Sequence, residues 1–371
     1  MVTFRQITFK EFVTLQRGFD LPSNKRVDGE YPVIASTSIN GFHNQYKVEP
    51  PGVVTGRSGA LGEVQYVQTK FWPLNTSLWV KDFKGNFPKY VYYLLKTLDL
   101  KRFNSGAGIP TLNRNDLDTL ELRVHDYANQ RKIAAILSAY DRLIENNTRR
   151  IEILEEMARS IYREWFVKFR FPGHEQTQMV DSELGLIPEG WEVGRLDDAL
   201  ILQRGFDLPT QQRKEGNIPI YASTGVTGTH NEAKVKAPGV VTGRSGSLGT
   251  VIYIDEDFWP LNTTLWVKEF RRVTPLYAFY LLSDLKLEQY NSGAAVPTLN
   301  RNDIHGRPVV IPPQKILEQL NLFVEPLLVL KKNLLKRSDN LRRTRDLLLP
   351  RLISGEIDVE NLDINTGEIA A

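Results

Sequence analysis

The chain repeats itself once. QRGFDLP occurs at Gln16–Pro22 and again at Gln203–Pro209. GVVTGRSGALGEV (Gly52–Val64) returns as GVVTGRSGSLGTV (Gly239–Val251). FWPLNTSLWVKDF (Phe71–Phe83) returns as FWPLNTTLWVKEF (Phe258–Phe270), and NSGAGIPTLNRNDL (Asn104–Leu117) as NSGAAVPTLNRNDI (Asn291–Ile304). Every pair lies 187 positions apart, with no gap from the first block to the last, and roughly 60% of positions from Gln16 to Leu117 match their partners. Solenoids stack several short units. Two copies at so long a period imply two globular domains of one kind, which 371 residues can hold together with connecting elements.

Identity is lowest in Ser23–Pro50 against Thr210–Ala237. There the copies share little beyond Ala35–Thr37 with Ala222–Thr224, His43–Asn44 with His230–Asn231, and a few other positions. A duplicated fold that differs mainly in one segment suggests a scaffold carrying a variable surface. Within a copy, Tyr31–Ala35, Gly52–Thr55, Glu63–Val67 and Leu78–Phe83 are β-rich runs bounded by Gly, Pro and Asn. TGRSGALG holds three glycines in eight residues and predicts a tight turn. Lys89–Leu100 reads as a helix with a broad apolar face, and NSGAGIPTLNRNDL as a loop. Each copy is therefore a mixed α+β domain of about 125 residues.

After each copy the pattern changes. From Asp126 to about Arg170 there is neither Gly nor Pro. Ile133, Leu137, Tyr140, Ile144, Ile151, Leu154, Ala158, Ile161 and Trp165, with Asn147, step by four and three as a heptad seam. A helix of ~40 residues would be roughly 60 Å long. Asp126 is its expected N-cap, and Asn147 either sets register on the seam or faces solvent. In Pro313–Ile353 the seam is Leu320, Val324, Leu327, Leu334, Leu341, Leu348 and Leu352. Pro313 suits a first helical turn, whereas Pro326 should kink or split this helix near Glu325. Two such seams are expected to pack together, antiparallel, with the helix length setting the separation of the domains. The basic run Lys331, Lys332, Lys336, Arg337, Arg342, Arg343 and Arg345 has two readings, a phosphate-facing strip or an ordinary solvated face. Phe171–Gly190, with Pro172, Gly173, Gly185, Pro188 and Gly190, reads as a linker.

Few catalytic signatures are present. There is no Walker-type phosphate loop, no GxGxxG after a strand and no HExxH. GxSxG is absent, since Ser58 and Ser245 sit in GRSG. The methyltransferase tetrad of Asn or Asp, two prolines and an aromatic residue is missing too. No cysteine is available for thiolate metal sites or disulfides, which fits a reducing cytoplasm. MVTFRQITFKEF gives no expectation of a signal peptide, and no run approaches the roughly 20 apolar residues of a membrane span. A formal net charge of +3 and a pI near 8.8 permit an anionic partner without requiring one.

The strongest candidates for binding lie in the repeated motifs. Glycine turns bring backbone N–H groups close to a ligand and can cradle phosphate. Arg57 and Arg244, beside Ser58 and Ser245, could bind phosphate or fork onto guanine in the major groove. The competing reading is a β-turn whose arginine pairs with a local carboxylate. In the variable segment Ser36, Thr37 and His43, with Ser223, Thr224 and His230, are short polar groups able to reach base edges, or simply exposed loop residues. Arg114 and Arg301 are further contact candidates, the Asn and Asp around them reading as caps or turn formers. Trp72, Trp79, Trp259 and Trp266 are expected in the cores.

LGLIPEGWEVGRLDD (Leu184–Asp198), YREWFVKFRFPG (Tyr162–Gly173), LLLPRLISGEIDV (Leu347–Val359) and the TGRSG turns together resemble the specificity subunits of type I restriction–modification systems, in the same order along the whole chain. That resemblance implies target recognition domains at 1–125 and 171–312 (linker included). Spacer helices would run over 126–170 and 313–355, forming an antiparallel coiled coil, with a tail at 356–371. It implies a bipartite site on double-stranded DNA, docking of two adenine methyltransferase subunits and of restriction-translocase subunits, and a non-catalytic role. S-adenosylmethionine, ATP and Mg would belong to those partners, with no metal or cofactor in this chain. In many relatives the two recognition domains are dissimilar. Here they are near copies, so the expected target is palindromic or nearly so. A standalone DNA-binding scaffold and an undetected nuclease are the competing readings.

Overall fold

The computed structural model describes residues 4–106 and 108–367. The chain forms two compact units, one of Met1–Thr148 with Leu335–Ala371 and one of Arg149–Leu334.

The first domain contains β1 (Phe4–Thr8), β2 (Thr14–Arg17), β3 (Tyr31–Ile34), β4 (Ile39–His43), β5 (Gly52–Gly56), β6 (Val64–Val67), β7 (Trp72–Pro73), β8 (Ser77–Asp82) and β9 (Glu121–His125), with helices α1 (Phe9–Phe12), α2 (Pro88–Thr97) and α3 (Arg114–Leu117). The long helix α4 (Tyr127–Tyr162) follows. The second half has a hairpin, β10 (Met179–Ser182) and β11 (Gly185–Pro188). It then repeats the domain as β12 (Glu192–Arg195), β13 (Leu200–Arg204), β14 (Ile218–Ala222), β15 (Gly225–His230), β16 (Gly239–Gly243), β17 (Val251–Ile254), β18 (Trp259–Pro260), β19 (Thr264–Phe270) and β20 (Pro308–Ile311). Helices α5 (Leu196–Ala199), α6 (Pro275–Asp284) and α7 (Arg301–His305) precede the long helix α8 (Gln314–Ser354).

The two sheets of a domain have the same strand order in both copies. A four-stranded sheet runs β2-β8-β5-β6, matched by β13-β19-β16-β17, and a three-stranded sheet runs β4-β3-β7, matched by β15-β14-β18. The ends of each domain close on one another through β1 with β9 and β12 with β20. GVVTG is buried along its whole length in both copies, as a central strand covered on both faces must be. Gly52 is required there, because a Cβ would lie 2.3 Å from the Phe71 ring. Pro88 starts α2 without a wasted donor, and Tyr90, Val91, Tyr93, Leu94 and Leu95 turn its apolar face into the core.

Within each unit the long helices run antiparallel. In the first, Ile133 and Leu137 share a core with Leu349 and Leu352. Asp141 pairs with Arg345 at 2.6 Å, and the His125 Nε2 lies 3.0 Å from the Leu352 carbonyl. In the second, Ala158 and Tyr162 share a core with Leu320 and Val324, while Glu155 pairs with Lys331 at 2.6 Å. Leu154, Trp165, Leu334 and Asn147 are buried, and Tyr140, Ile144, Ile151, Ile161, Leu327, Leu341 and Leu348 are half-buried. Asp126 caps α4 by accepting from the Asn129 N–H at 2.9 Å.

Three expectations fail. NSGAGIPTLNRNDL is not loop throughout, since Arg114–Leu117 forms the short helix α3 behind the Asn113 cap. Pro326 does not break its helix, since α8 is unbroken for 41 residues. Proline removes one N–H, whose acceptor would be the Leu322 carbonyl. Both residues are exposed, so water can serve that carbonyl. Nor is Phe171–Gly190 a bare linker. It carries the β10–β11 hairpin, and Phe171 and Ile187 sink into the core of the second unit beside Trp191. Among the described residues no helix is long and apolar enough to cross a membrane.

Candidate nucleic-acid interface

QRGFD leaves the end of β2 and must pass under the FWPLN strand. Gly18 makes this possible, because a Cβ there would stand 2.1 Å from the Leu74 carbonyl oxygen, and Gly205 is held the same way at 2.2 Å from that of Leu261. Phe19 packs against Trp72 and Trp79. Asp20 is thereby delivered to the surface, where it pairs with Arg17 at 3.0 Å and accepts from the Asn75 amide. In the second domain Asp207 pairs with Arg204 at 3.2 Å and accepts from Asn262. Asn75 and Asn262 form glycosylation sequons by pattern; here they brace the QRGFD loop.

Against this loop lies the TGRSG turn. Its exposed Gly59 and Gly246 have φ of 89° and 90°, a left-handed conformation that favours glycine. The turn does not present free backbone donors. The N–H groups of Arg57 and Ser58 donate to the Thr76 carbonyl at 2.8 and 3.0 Å, and that of Gly59 to Pro110 at 2.9 Å. Arg244, Ser245 and Gly246 repeat the pattern on Thr263 and Pro297. A backbone phosphate cradle is therefore the wrong description of GRSG, and the side chain of its arginine is what it offers. Arg57 Nη1 donates to the Asn75 carbonyl at 3.3 Å and Arg244 Nη1 to that of Asn262 at 3.0 Å, so each head group is anchored by a neutral acceptor rather than a carboxylate. Ser58 and Ser245 are half-buried, each bridged along the backbone to Thr111 or Thr298.

The third wall is TLNRND. Asn113 caps α3 by accepting from the Asn115 N–H at 3.1 Å, and Asn300 caps α7 in the same way. The cap sets the helix so that Arg114 reaches back to the Leu15 carbonyl at 3.3 Å, and Arg301 to Leu202 at 3.4 Å. Together these segments line an open cleft of about 800 Å³ in the first domain and about 790 Å³ in the second. Each gathers three guanidinium groups, Arg17, Arg57 and Arg114 or Arg204, Arg244 and Arg301, against one carboxylate. Guanidinium stays charged at any physiological pH and presents forked donors suited to phosphate and guanine. Sequence reasoning passes over Arg17 and Arg204, although the unchanged QRGFD segment was a signal.

The variable segment differs from its expectation. His43 and His230 are buried, not exposed among polar loop residues. Each Nδ1 accepts a backbone N–H, from Val27 at 3.1 Å or Lys214 at 3.0 Å, and each ring meets a tryptophan edge-on, Trp72 or Trp259. They hold the segment to the domain and cannot reach a base edge from there. Ser223 is also buried and Ser36 half-buried; Thr37 and Thr224 are exposed on the turn. On α8, Lys331, Lys332, Arg343 and Arg345 are engaged in ion pairs with Glu155, Asp255, Asp339 and Asp141, whereas Lys336, Arg337 and Arg342 of that basic run form none among the described residues. Trp72 and Trp259 are buried, Trp79 and Trp266 partly so.

Residues 1–156 and 188–336 each match the family described as type I restriction modification DNA specificity domain. The specificity subunit of the type I restriction enzyme MjaIX from Methanocaldococcus jannaschii is 30% identical over 351 residues, covering 85% of this chain and 80% of that protein. The EcoprrI specificity subunit of Escherichia coli is 27% identical over 131 residues, 35% of this chain and 33% of the other. In fold, the S subunit of the type I restriction–modification system from M. genitalium matches with a TM-score of 0.67 over 95% of this chain and 96% of that one, at 19% identity.

Proposed function

The chain belongs to the type I restriction modification DNA specificity family, and from that premise we propose that it selects the DNA sequence on which a methyltransferase–endonuclease complex acts. Each domain reads one half of a bipartite duplex site through its arginine-lined cleft. The observation that carries this reading is the recurrence of the whole cleft, residue for residue, with Arg57 and Arg244 each turned to a neutral carbonyl and spared a carboxylate. Arginine charge supplies salt-dependent affinity by releasing counterions, while groups at base edges supply choice, each mismatch costing roughly 1–3 kcal/mol.

Because the two clefts are alike, the two half-sites are alike and inverted, a near-palindrome interrupted by a spacer. The chain itself is a reader without a catalytic centre. Adenine methylation falls to two methyltransferase subunits carrying S-adenosylmethionine, and translocation and cleavage to restriction subunits using ATP and Mg. The target adenine must leave the base stack to reach a methyltransferase pocket, and this subunit holds the duplex in place for that step. The helices, with Leu143, Ile153, Met157, Leu322 and Phe323 exposed along them, offer apolar surface for those partners.

Methylome sequencing of a host producing this chain with its methyltransferase tests the reading. One bipartite motif with like, inverted halves is expected. Two unrelated halves would refute the near-palindrome, and the lack of any new methylated motif would refute the function. A methyltransferase co-purifying at two copies per chain separates this reading from a standalone DNA-binding scaffold, and cleavage by the isolated chain with Mg²⁺ would favour a nuclease instead.

A further inference from the structure

The clefts are nearly identical, so they cannot by themselves make the half-sites differ. One surface element beside each cleft can. β4, and β15 from Val226 on, are exposed up to the buried histidine that ends each of them. In the five positions after the turn the copies read Ser38, Ile39, Asn40, Gly41, Phe42 and Gly225, Val226, Thr227, Gly228, Thr229, sharing only the glycine. Ile39 and Phe42 are each 52% exposed. An exposed apolar side chain alone is ordinary; here two of them sit on an exposed strand that diverges, while the arginine on its carbonyl and the histidine at its end are kept. Arg26 Nη1 donates to the Asn40 carbonyl at 2.5 Å and Arg213 Nη1 to that of Thr227 at 3.1 Å. His43 and His230 pin the far end.

The turn leading into the strand is also tied to the cleft. In the second domain the Ser223 N–H donates to Thr263 Oγ1 at 3.4 Å, and the carbonyl of the same Thr263 holds the N–H groups of Arg244 and Ser245. In the first, Gln65 Nε2 donates to the Ala35 carbonyl at 3.0 Å, and a Cβ on Gly56 of the TGRSG turn would stand 3.1 Å from the Ser36 carbonyl oxygen. The turn that leads into the exposed strand is therefore fixed to the segments that hold the cleft arginines, an invariant element beside a variable one.

We infer that β4 and β15 determine the bases at which the two half-sites differ, Phe42 and Ile39 of the first domain seating on thymine methyl groups where Thr227 and Thr229 of the second present hydroxyls to base edges. The apolar match to a thymine C5-methyl and the dual donor–acceptor capacity of threonine follow from the chemistry of the major groove. The inference rests on the domains being DNA readers. It narrows their choice of sequence to four positions per domain, and it adds Ile39, Asn40 and Phe42 to the recognition surface in place of His43.

The full chain, produced with its methyltransferase, is incubated with a randomised duplex library and the bound duplexes are sequenced, for the native protein and for two grafts. One graft is Ile39→Val, Asn40→Thr and Phe42→Thr; the reciprocal one is Val226→Ile, Thr227→Asn and Thr229→Phe. The native motif should have halves that share a core and differ at one or two bases. The first graft should make both halves those of the second domain, and the reciprocal graft both those of the first. Replacing thymine by deoxyuridine at the differing position should weaken native binding about fourfold, the loss of one buried methyl-sized group, and should not affect the first graft. Unchanged motifs in both grafts, or loss of all binding in both, would overturn the inference while leaving the DNA-reading function standing. Failure of the native protein to enrich any bipartite motif would instead overturn that function.

Discussion

The two copies of the domain agree around the arginine cleft and disagree along the exposed strand beside it. Gly18 and Gly205, Arg57 and Arg244, His43 and His230 occupy the same positions with the same partners. Phe42 and Thr229 occupy the same position, each opposite the equivalent proline, Pro32 or Pro219, with unlike side chains. The lesson is that a duplicated reader can drift at its exposed strand without disturbing the buried groups that aim it, because the strand is held by backbone acceptors on Asn40 and Thr227 that any side chain leaves intact.

That equivalence can be broken by paired substitutions. The largest effect should come from Gly18→Ala and Gly205→Ala. Each places a methyl group near 2.1–2.2 Å from a carbonyl oxygen, and each should destabilise its domain by about 3 kcal/mol, read by denaturant titration. A cost in one copy only would show that the QRGFD loops are not equivalent. Arg57→Ala and Arg244→Ala should each weaken duplex binding roughly 10- to 100-fold, measured by competition at fixed salt. Full affinity in both variants would remove these arginines from the interface. His43→Ala and His230→Ala should each lose about 2 kcal/mol of stability through the space left by a buried ring packed on Trp72 or Trp259, with the sequenced motif unchanged. A changed motif would restore the histidines as base readers.

The smallest effect concerns pH and sharpens a difference. His125, which has Pro312 as its counterpart, is fully buried with Nε2 on the last carbonyls of α8. Burial lowers its pKa below the ordinary imidazole value, against the opposing pull of the Leu352 and Ile353 carbonyls and the Asp126 and Asp358 carboxylates. The folded state thus binds the proton less readily than the unfolded chain. The stability this gives is present above about pH 6.5 and is lost as pH falls through the lowered value. His305 in the second unit is lowered likewise, by burial first. His125→Phe should therefore reduce, but not abolish, the fall in Tm between pH 7.5 and pH 5.5. An unaltered pH profile would exclude His125 as a contributor.

Much of this was legible in the chain, and the exceptions have physical reasons. The repeat, the strand runs within a residue or so, α2, the Asp126 cap and the antiparallel seam all follow from local chemistry and periodicity. The role of His43 did not, because its burial depends on Trp72, 29 positions away, and nothing in a polar stretch announces that contact. The engaged N–H groups of GRSG were equally hidden, since the Thr76 carbonyl that takes two of them belongs to another strand connection. Gly and Pro made 171–190 read as a linker; Phe171 and Ile187, the residues that dock it, were outvoted by their neighbours.

The first unit is assembled from both ends of the chain, with Leu352, Ile353 and Val359 in the same core as Phe9 and Ile133. The second unit is continuous, Arg149–Leu334. Synthesis at about 5–20 residues per second would leave the earlier-made unit waiting roughly 10–40 s for its closing helix. The vectorial order of folding should thus be reversed, the later unit maturing first. Protease digestion of nascent chains stalled when Leu334 has just cleared the ribosome should find the second unit resistant and the first still cleavable; equal resistance of the two would contradict that order.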